Sequence, residues 1–263
     1  MTTEAQGAAA PELIERRHGG VLWLTINREA RRNAISPGVL AGLTEALTRA
    51  NADRSVRAIV LTGAGDKAFC AGADLATGQS FKFDYSEPTQ NIANLFRLTR
   101  QLNVPLIARV NGACMAGGMG LMAMCDLAVA APHAIFGLPE VKVGLFPAQV
   151  LSVLHGLIGA RALAELCITG EPVTAQQALE IGLINRVSDD LDAGVQALLN
   201  RLLDKSPAAI RRGLYLMKRI AAMSFEERAA FTESQIGLFA LTEDAAEGQA
   251  AFREKRKPNW SGR

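Results

Sequence analysis

An excess of charge of either sign is almost absent: 28 lysines and arginines stand against 26 aspartates and glutamates, a formal net charge of +2. So weak a field excludes general attraction to nucleic acid or to an anionic membrane, and an anionic ligand has to be gripped locally. Cysteine is scarce as well. The four, Cys70, Cys114, Cys125 and Cys167, form no C-x-x-C pair and no cluster with histidine at zinc-ligand spacing. That argues against a metal centre or a disulfide framework and for a reducing, cytoplasmic setting. The three histidines, His18, His133 and His155, fall into no Ser/His/Asp set. Long apolar runs are missing too: the longest, residues 112–131, is interrupted by glycines and Asp126, whereas a membrane span needs ~20 predominantly apolar residues. Residues 1–11 have neither the basic nor the apolar segment of a signal peptide and read as a disordered tail.

What is present is the composition of an ordinary globular protein, 49% hydrophobic and 21% charged. Residues 21–27 (VLWLTIN) read as a strand, and Ser36 before Pro37 supplies an N-cap with proline at the first helical position. The helix so started, through Leu40, Leu43 and Leu47, ends near Asn51. Residues 58–62 (AIVLT) and 105–110 (PLIARV) are continuous apolar runs, the pattern of strands covered on both faces. Between them Ile92, Leu95, Phe96 and Leu102 are helically spaced. Residues 127–130 and 135–137 read as further strands, and from about Ile158 the pattern becomes helix after helix, with starts at Thr174, Pro207 and Ser224. The last of these fits a capping box with Glu227. The expected class is α/β, with a core over residues 1–195 and a helical region over 196–263.

Two loops of small residues follow buried strands: AFCAGAD at 68–74 and NGACMAGGMG at 111–120. Small side chains let peptide N–H groups approach a ligand oxygen closely, and a helix opening at Gly117 would add its positive end. Such a pair suits an oxyanion hole, although glycines after strands are commonly just turns. A rival motif, Gly63-Ala64-Gly65-Asp66-Lys67-Ala68, fits G-x-G-x-x-A after a strand. It runs into FCAGAD rather than an amphipathic helix, which argues against a dinucleotide site.

Five ordered motifs carry a resemblance: NREARRNAIS at 27–36, KAFCAGADL at 67–75, PLIARVNGACMAGGMGLMAMCDLAVAA at 105–131, FGLPEVKVGLFP at 136–147 and FREKRKPNW at 252–260. Together they resemble the crotonase (enoyl-CoA hydratase/isomerase) superfamily. The resemblance implies a spiral of ββα units with a helical C-terminal trimerisation region, assembled as a homotrimer or a dimer of trimers. It implies an acyl-CoA thioester as substrate, coenzyme A arriving with it and no separate cofactor or metal. The thioester oxygen would accept hydrogen bonds from the amides of Ala71 and Gly117, and Glu140 would be the acid-base residue. Arg28, Ala34, Ala71, Gly72, Ala73 and Asp74 would surround the adenine and pantetheine, with Phe252 and Lys255 added by the last helix.

At the position where two-glutamate hydratases carry their other carboxylate, this chain has Gly120. One carboxylate suffices either to add water across a 2-enoyl thioester or to move a proton between two carbons, so hydration leads, isomerisation is the alternative, and a non-catalytic acyl-CoA binder stays open. The runs at 118–121 and 139–148 also look similar to bacterial hydratases of 3-substituted glutaconyl-CoA, used in leucine and acyclic-terpene breakdown. His155 is a distant candidate near the acyl pocket, and Cys114, inside the second loop, reads as a small buried thiol rather than a nucleophile.

Overall fold

The computed structural model describes residues 10–74 and 86–263. Strand β1 (Leu13–His18) and β2 (Val21–Ile26) form an antiparallel hairpin, Gly19 taking the left-handed conformation at the turn (φ 56°). A 3-10 turn at Glu29–Arg31 leads to α1 (Pro37–Ala52), where Ser36 Oγ accepts the Val39 amide at 3.1 Å. Then come β3 (Ala58–Gly63), β4 (Ala68–Cys70), α2 (Asn91–Thr99), β5 (Leu106–Val110), β6 (Ala113–Met115), α3 (Gly117–Ala123), β7 (Leu127–Ala130) and β8 (Ile135–Gly137). A second 3-10 turn, Pro139–Val143, precedes α4 (Ala148–Leu154), α5 (Ala160–Thr169), β9 (Val173–Thr174), α6 (Ala175–Glu180) and β10 (Arg186–Val187). Helices α7 (Leu191–Leu203), α8 (Pro207–Ile220), α9 (Phe225–Ala240) and α10 (Glu243–Glu254) complete the chain.

The strands make two sheets. The larger runs β1-β2-β3-β5-β7-β10 and is parallel except for the β1–β2 hairpin. The smaller runs β4-β6-β8-β9, with only β8–β9 antiparallel. Each inner strand of the large sheet passes within a few residues into a strand of the small one and then a helix: β3-β4-α2, β5-β6-α3, β7-β8-α4. This is the expected spiral of ββα units.

Period-two alternation decides which residue faces which core. Ile59 and Leu61 of β3, and Leu106, Ala108 and Val110 of β5, face the main cluster with Leu43 and Leu47 of α1. Ala58, Val60 and Ile107 face a second cluster closed by Leu191, Val195 and Leu199 of α7. Both faces of β3 and β5 are therefore dry, as their unbroken apolarity predicts.

Cations bolt the helical region to this core, among them Arg57, Arg211 and Lys218. Arg57 donates to the carbonyls of Leu203 (3.0 Å) and Lys205 (2.7 Å), and Arg211 reaches those of Asn51, Asp53 and Val56. Lys218 pairs with Asp126 at 3.0 Å and caps the Thr99 and Leu102 carbonyls. The C-terminal tail is gathered by Asp244, only 1% exposed, which accepts from Ser206 Oγ (2.6 Å) and from the amides of Ala208, Ser261 and Gly262.

Five strands have no counterpart in the sequence reading: β1, β4, β6 and the two-residue β9 and β10. In β1, four of the six residues (LIERRH) are exposed, so no apolar alternation marks it; it is an edge strand held by its hairpin partner. β4 and β6, of three residues each, lie inside what reads as loop. Of the stretch between Leu75 and Ile92, where the acyl pocket is expected, residues 75–85 lie outside the described residues.

Candidate active site

The small sheet gathers the chemistry at one edge. Parallel strands β4, β6 and β8 are neighbours, in register at Ala68–Ala113, Cys70–Cys114, Cys114–Phe136 and Met115–Gly137. Their carboxyl ends release, side by side, the 71–74 loop, the Ala116–Gly117 turn into α3, and the turn that carries Glu140. Ligands bind at such carboxyl ends because the chain fans out there into loops.

The two small-residue loops are in direct contact. A β-carbon on Gly72 (φ 99°) would stand 2.8 Å from Ala116 Cβ and 3.3 Å from the Gly117 nitrogen; one on Gly117 would stand 3.8 Å from the Ala73 nitrogen. Ala116 itself holds φ 49° and ψ −123°, a strained conformation for a residue with a side chain, and its amide is anchored to the Gly137 carbonyl at 2.9 Å. The strain sits one residue before the Gly117 amide, which donates to no protein acceptor among the described residues.

On the other loop the sequence reading needs correcting. Ala71 has its amide already committed, donating to the Arg32 carbonyl at 3.0 Å, so that N–H is not available to a ligand. Ile35 takes the Gly72 carbonyl at 2.7 Å and receives the Asp74 amide at 3.0 Å. Strand-like alternation turns the residue between them, Ala73, the other way, and its amide is free among the described residues. The free pair is Ala73 with Gly117.

Two buried asparagines hold this arrangement, and the sequence reading gave them no role. Asn33, wholly buried in left-handed geometry (φ 55°), donates to the Ala64 (2.9 Å) and Ala68 (2.7 Å) carbonyls. Asn111 donates to Gly65 (2.7 Å) and Ala68 (3.2 Å) and accepts the Gly63 amide at 3.2 Å. Both converge on Ala68, the first residue of β4, so two motifs 78 residues apart in number fix one strand end. The turn Gly63–Lys67 they brace leads to β4 and not to a helix, which removes the dinucleotide reading.

Glu140 sits in the 3-10 turn that Pro139 begins and that Gly144, left-handed at φ 77°, ends. Its Oε2 is buried without a hydrogen-bond partner among the described residues. Burial pushes its pKa up from the ordinary carboxylate value, against an opposing backbone hydrogen bond, and its charge in turn helps to raise the Cys167 thiol, which burial raises first. An unpartnered buried carboxylate oxygen is costly to keep, and perturbed groups of this kind mark functional sites.

Of the residues expected near coenzyme A, Arg28, Ala34 and the 71–74 loop come together. Arg28 is nevertheless spent inside the protein: it donates to the Ala34 carbonyl (2.7 Å) and pairs with Asp74 (2.6 Å) and Glu12 (2.7 Å). Its role is to clamp the loop. Phe252 (86% exposed) and Lys255 lie on and at the end of α10, which packs against α8 and α9, and no hydrogen bond or ion pair among the described residues joins them to the loop cluster. Cys114 is fully buried with its thiol pushed well up by burial, and Cys70 is raised to about 12 by the same cause, so neither is a nucleophile. His155 is exposed at the end of α4, and His133 Nε2 bridges the Asp66 and Asn111 carbonyls.

The family model described as "Enoyl-CoA hydratase/isomerase" matches residues 16–263. This chain belongs to the enoyl-CoA hydratase/isomerase family. A crotonyl-CoA hydratase of Syntrophomonas wolfei is 33% identical, over 90% of this chain and 93% of that protein. A 2,3-dehydroadipyl-CoA hydratase of Escherichia coli is 35% identical, over 96% and 99%. Among solved structures, an enoyl-CoA hydratase of Mycobacterium smegmatis superposes with a TM-score of 0.87 at 36% identity, over 95% of this chain and 99% of that one. Against that family background, Glu140 is the carboxylate that the strand ends present, and position 120 presents none.

Proposed function

We propose that the protein catalyses reversible addition of water across the double bond of a 2-enoyl-CoA thioester, with Ala73 and Gly117 as oxyanion donors and Glu140 as the sole acid-base carboxylate. The observation that carries this reading is the Glu140 carboxylate, one oxygen of which (Oε2) is buried without a partner among the described residues, on the strand end beside the two loops whose amides are free.

The chemistry follows from the charges. As hydroxide oxygen bonds to Cβ, the double-bond electrons move toward the carbonyl and negative charge grows on the thioester oxygen. Donors fixed in advance stabilise that charge more than the ground state, by ~3–4 kcal/mol per donor in other enzymes. Glu140 takes the proton from water as the C–O bond forms and then returns a proton to Cα as the enolate collapses, so one carboxylate completes the addition. A carboxylate with a raised pKa is matched to both halves of that exchange.

Relatives named for crotonyl-CoA and for 2,3-dehydroadipyl-CoA differ in their acyl groups, so chain length is not inherited from them. The similarity of residues 118–121 and 139–148 to 3-substituted glutaconyl-CoA hydratases favours a 3-substituted glutaconyl group. Exposed apolar side chains on the last helices, among them Ile236 (69%), Leu241 (82%) and Phe252 (86%), support self-association as a trimer or dimer of trimers; sedimentation as a monomer would contradict it.

The test is product analysis by mass spectrometry in water enriched with heavy oxygen, using crotonyl-CoA, 3-methylglutaconyl-CoA and a 3-enoyl-CoA. One heavy oxygen gained per turnover is the expected result. Double-bond migration without oxygen would make the protein an isomerase, and tight binding without turnover would make it an acyl-CoA binder.

A further inference from the structure

Residue 120 lies one helical turn past Gly117, on a buried face of α3. A β-carbon there would stand 2.7 Å from Phe96 Cζ on α2, and 3.4 Å from both Phe96 Cε1 and Val150 Cγ2 on α4. The first distance is well inside contact, and the ring cannot swing into solvent: Phe96 is 4% exposed and belongs to the main hydrophobic cluster with Leu95, Met119, Leu121 and Val150. We infer that Phe96 is the residue that makes this a one-carboxylate site, its ring filling the space a side chain at position 120 would enter.

The inference rests on the hydratase reading for its catalytic meaning and on packing alone for its physical content. Glycine at 120 is then the small half of a large–small pair, not a bare loss. A glutamate added there would drive four further heavy atoms into the ring and set a charge among hydrocarbons, where an unpartnered carboxylate is costly. The wall beside the Gly117 amide is therefore hydrocarbon, and Glu140 has no carboxylate partner at residue 120.

The experiment is a double-mutant cycle of Gly120→Ala with Phe96→Leu, the leucine lacking the atoms nearest to position 120, read as melting temperature. Gly120→Ala is expected to lower the Tm by about 3 °C or more with Phe96 present, and to leave it within about 1 °C or raise it in the Phe96→Leu background. Equal shifts in both backgrounds would overturn the inference. The catalytic half uses Gly120→Glu alone and combined with Phe96→Leu. The double variant is expected to melt higher than Gly120→Glu, and its pH–rate profile to gain a second acidic titration, since two carboxylates facing one site titrate as a coupled pair. A Gly120→Glu variant that matches the double one in melting and pH profile would contradict it. A wild type that takes up no heavy oxygen would overturn the hydratase reading and the catalytic half with it; the melting cycle then still decides the packing half.

Discussion

Gly118 packs the end of β4 against the start of α3, which sets the spacing of the two proposed oxyanion donors, and adding one methyl there tests that role. An alanine β-carbon at 118 would be built 2.2 Å from the Cys70 carbonyl oxygen, 2.9 Å from its carbonyl carbon and 3.0 Å from its β-carbon. Carbon and carbonyl oxygen approach to about 3.3 Å even in the closest recurring contacts, so β4 and α3 have to part by about 1 Å. No rotamer change relieves this, because the obstacle is the backbone of a strand pinned by β6. Overpacking of this kind costs about 1–3 kcal/mol, and the better helix propensity of alanine returns about 1 kcal/mol at most. The net is about 0–2 kcal/mol, a Tm lower by up to about 8 °C for a chain of this size. Catalysis suffers more than stability. Ala73 follows β4 and Gly117 opens α3, so parting them misplaces both donors at once, and a 1 Å misplacement costs about 100-fold in rate. The assay is thermal denaturation alongside kcat for crotonyl-CoA hydration. Gly213→Ala is the control: it is also helical, on α8, and an added β-carbon meets nothing within 4 Å, so it should be neutral or stabilising. Wild-type melting and turnover in Gly118→Ala, or equal damage in Gly213→Ala, would show that close packing at Gly118 does not set the donor spacing.

Four further outcomes are expected. Replacing Ala73 by lactic acid through nonsense suppression removes its N–H, weakens the Gly72 carbonyl as acceptor of the Ile35 amide, and should lower kcat by about 100- to 1000-fold with little change in KM. The same replacement at Ala71 removes the bond to Arg32 and should cost about 1 kcal/mol of stability, read by denaturant melts, with kcat nearly intact. Glu140 has a folded-state pKa above its unfolded one, so its ionisation in the folded protein lowers stability as pH rises through the folded pKa. Glu140→Gln should therefore melt higher than wild type at pH 8, with the gap closing at pH 4, as melting curves at the two pH values would show. Asp244 is shifted the opposite way: burial pushes its carboxyl up, but the bonds from Ser206 and from the Gly262, Ala208 and Ser261 amides outweigh it and hold the pKa below the ordinary value. Its contribution is present above the unfolded pKa and is lost as pH falls through the folded one. Asp244→Asn should cost about 2–3 kcal/mol at pH 7 and less near pH 2, in the same melts.

Much of the architecture is written in local pattern. The apolar runs 58–62 and 105–110 announce strands covered on both faces, and Ser36-Pro37 and Ser224-Phe225-Glu226-Glu227 start their helices where the capping chemistry says. Glu140 was legible because its flanking motif, proline included, is contiguous. What escaped the sequence depends on partners far along the chain. Whether Ala71 or Ala73 keeps a free amide is decided by Arg32 and Ile35, about forty residues earlier, whose carbonyls and amides select alternate residues of the loop. Arg28 looks like a ligand-facing cation until Asp74 and Glu12 are seen to consume it. Gly120 reads as a missing group until the Phe96 ring is found in its place. Strand β1 stays hidden because an edge strand needs only one covered face, and its charged residues point to water.

In the proposed hydration one carboxylate, Glu140, makes both proton transfers, taking a proton from water and returning one to Cα. The test compares wild type with Glu140→Gln over a range of crotonyl-CoA concentrations up to saturation in heavy-oxygen water, with mass spectrometry of the 3-hydroxyacyl product. Oxygen incorporation is expected to fall by about 1000-fold or more with KM changed only a few-fold, because the amide keeps the shape and loses the base. Incorporation at a rate within about tenfold of wild type would mean that another group activates the water, and would contradict the account.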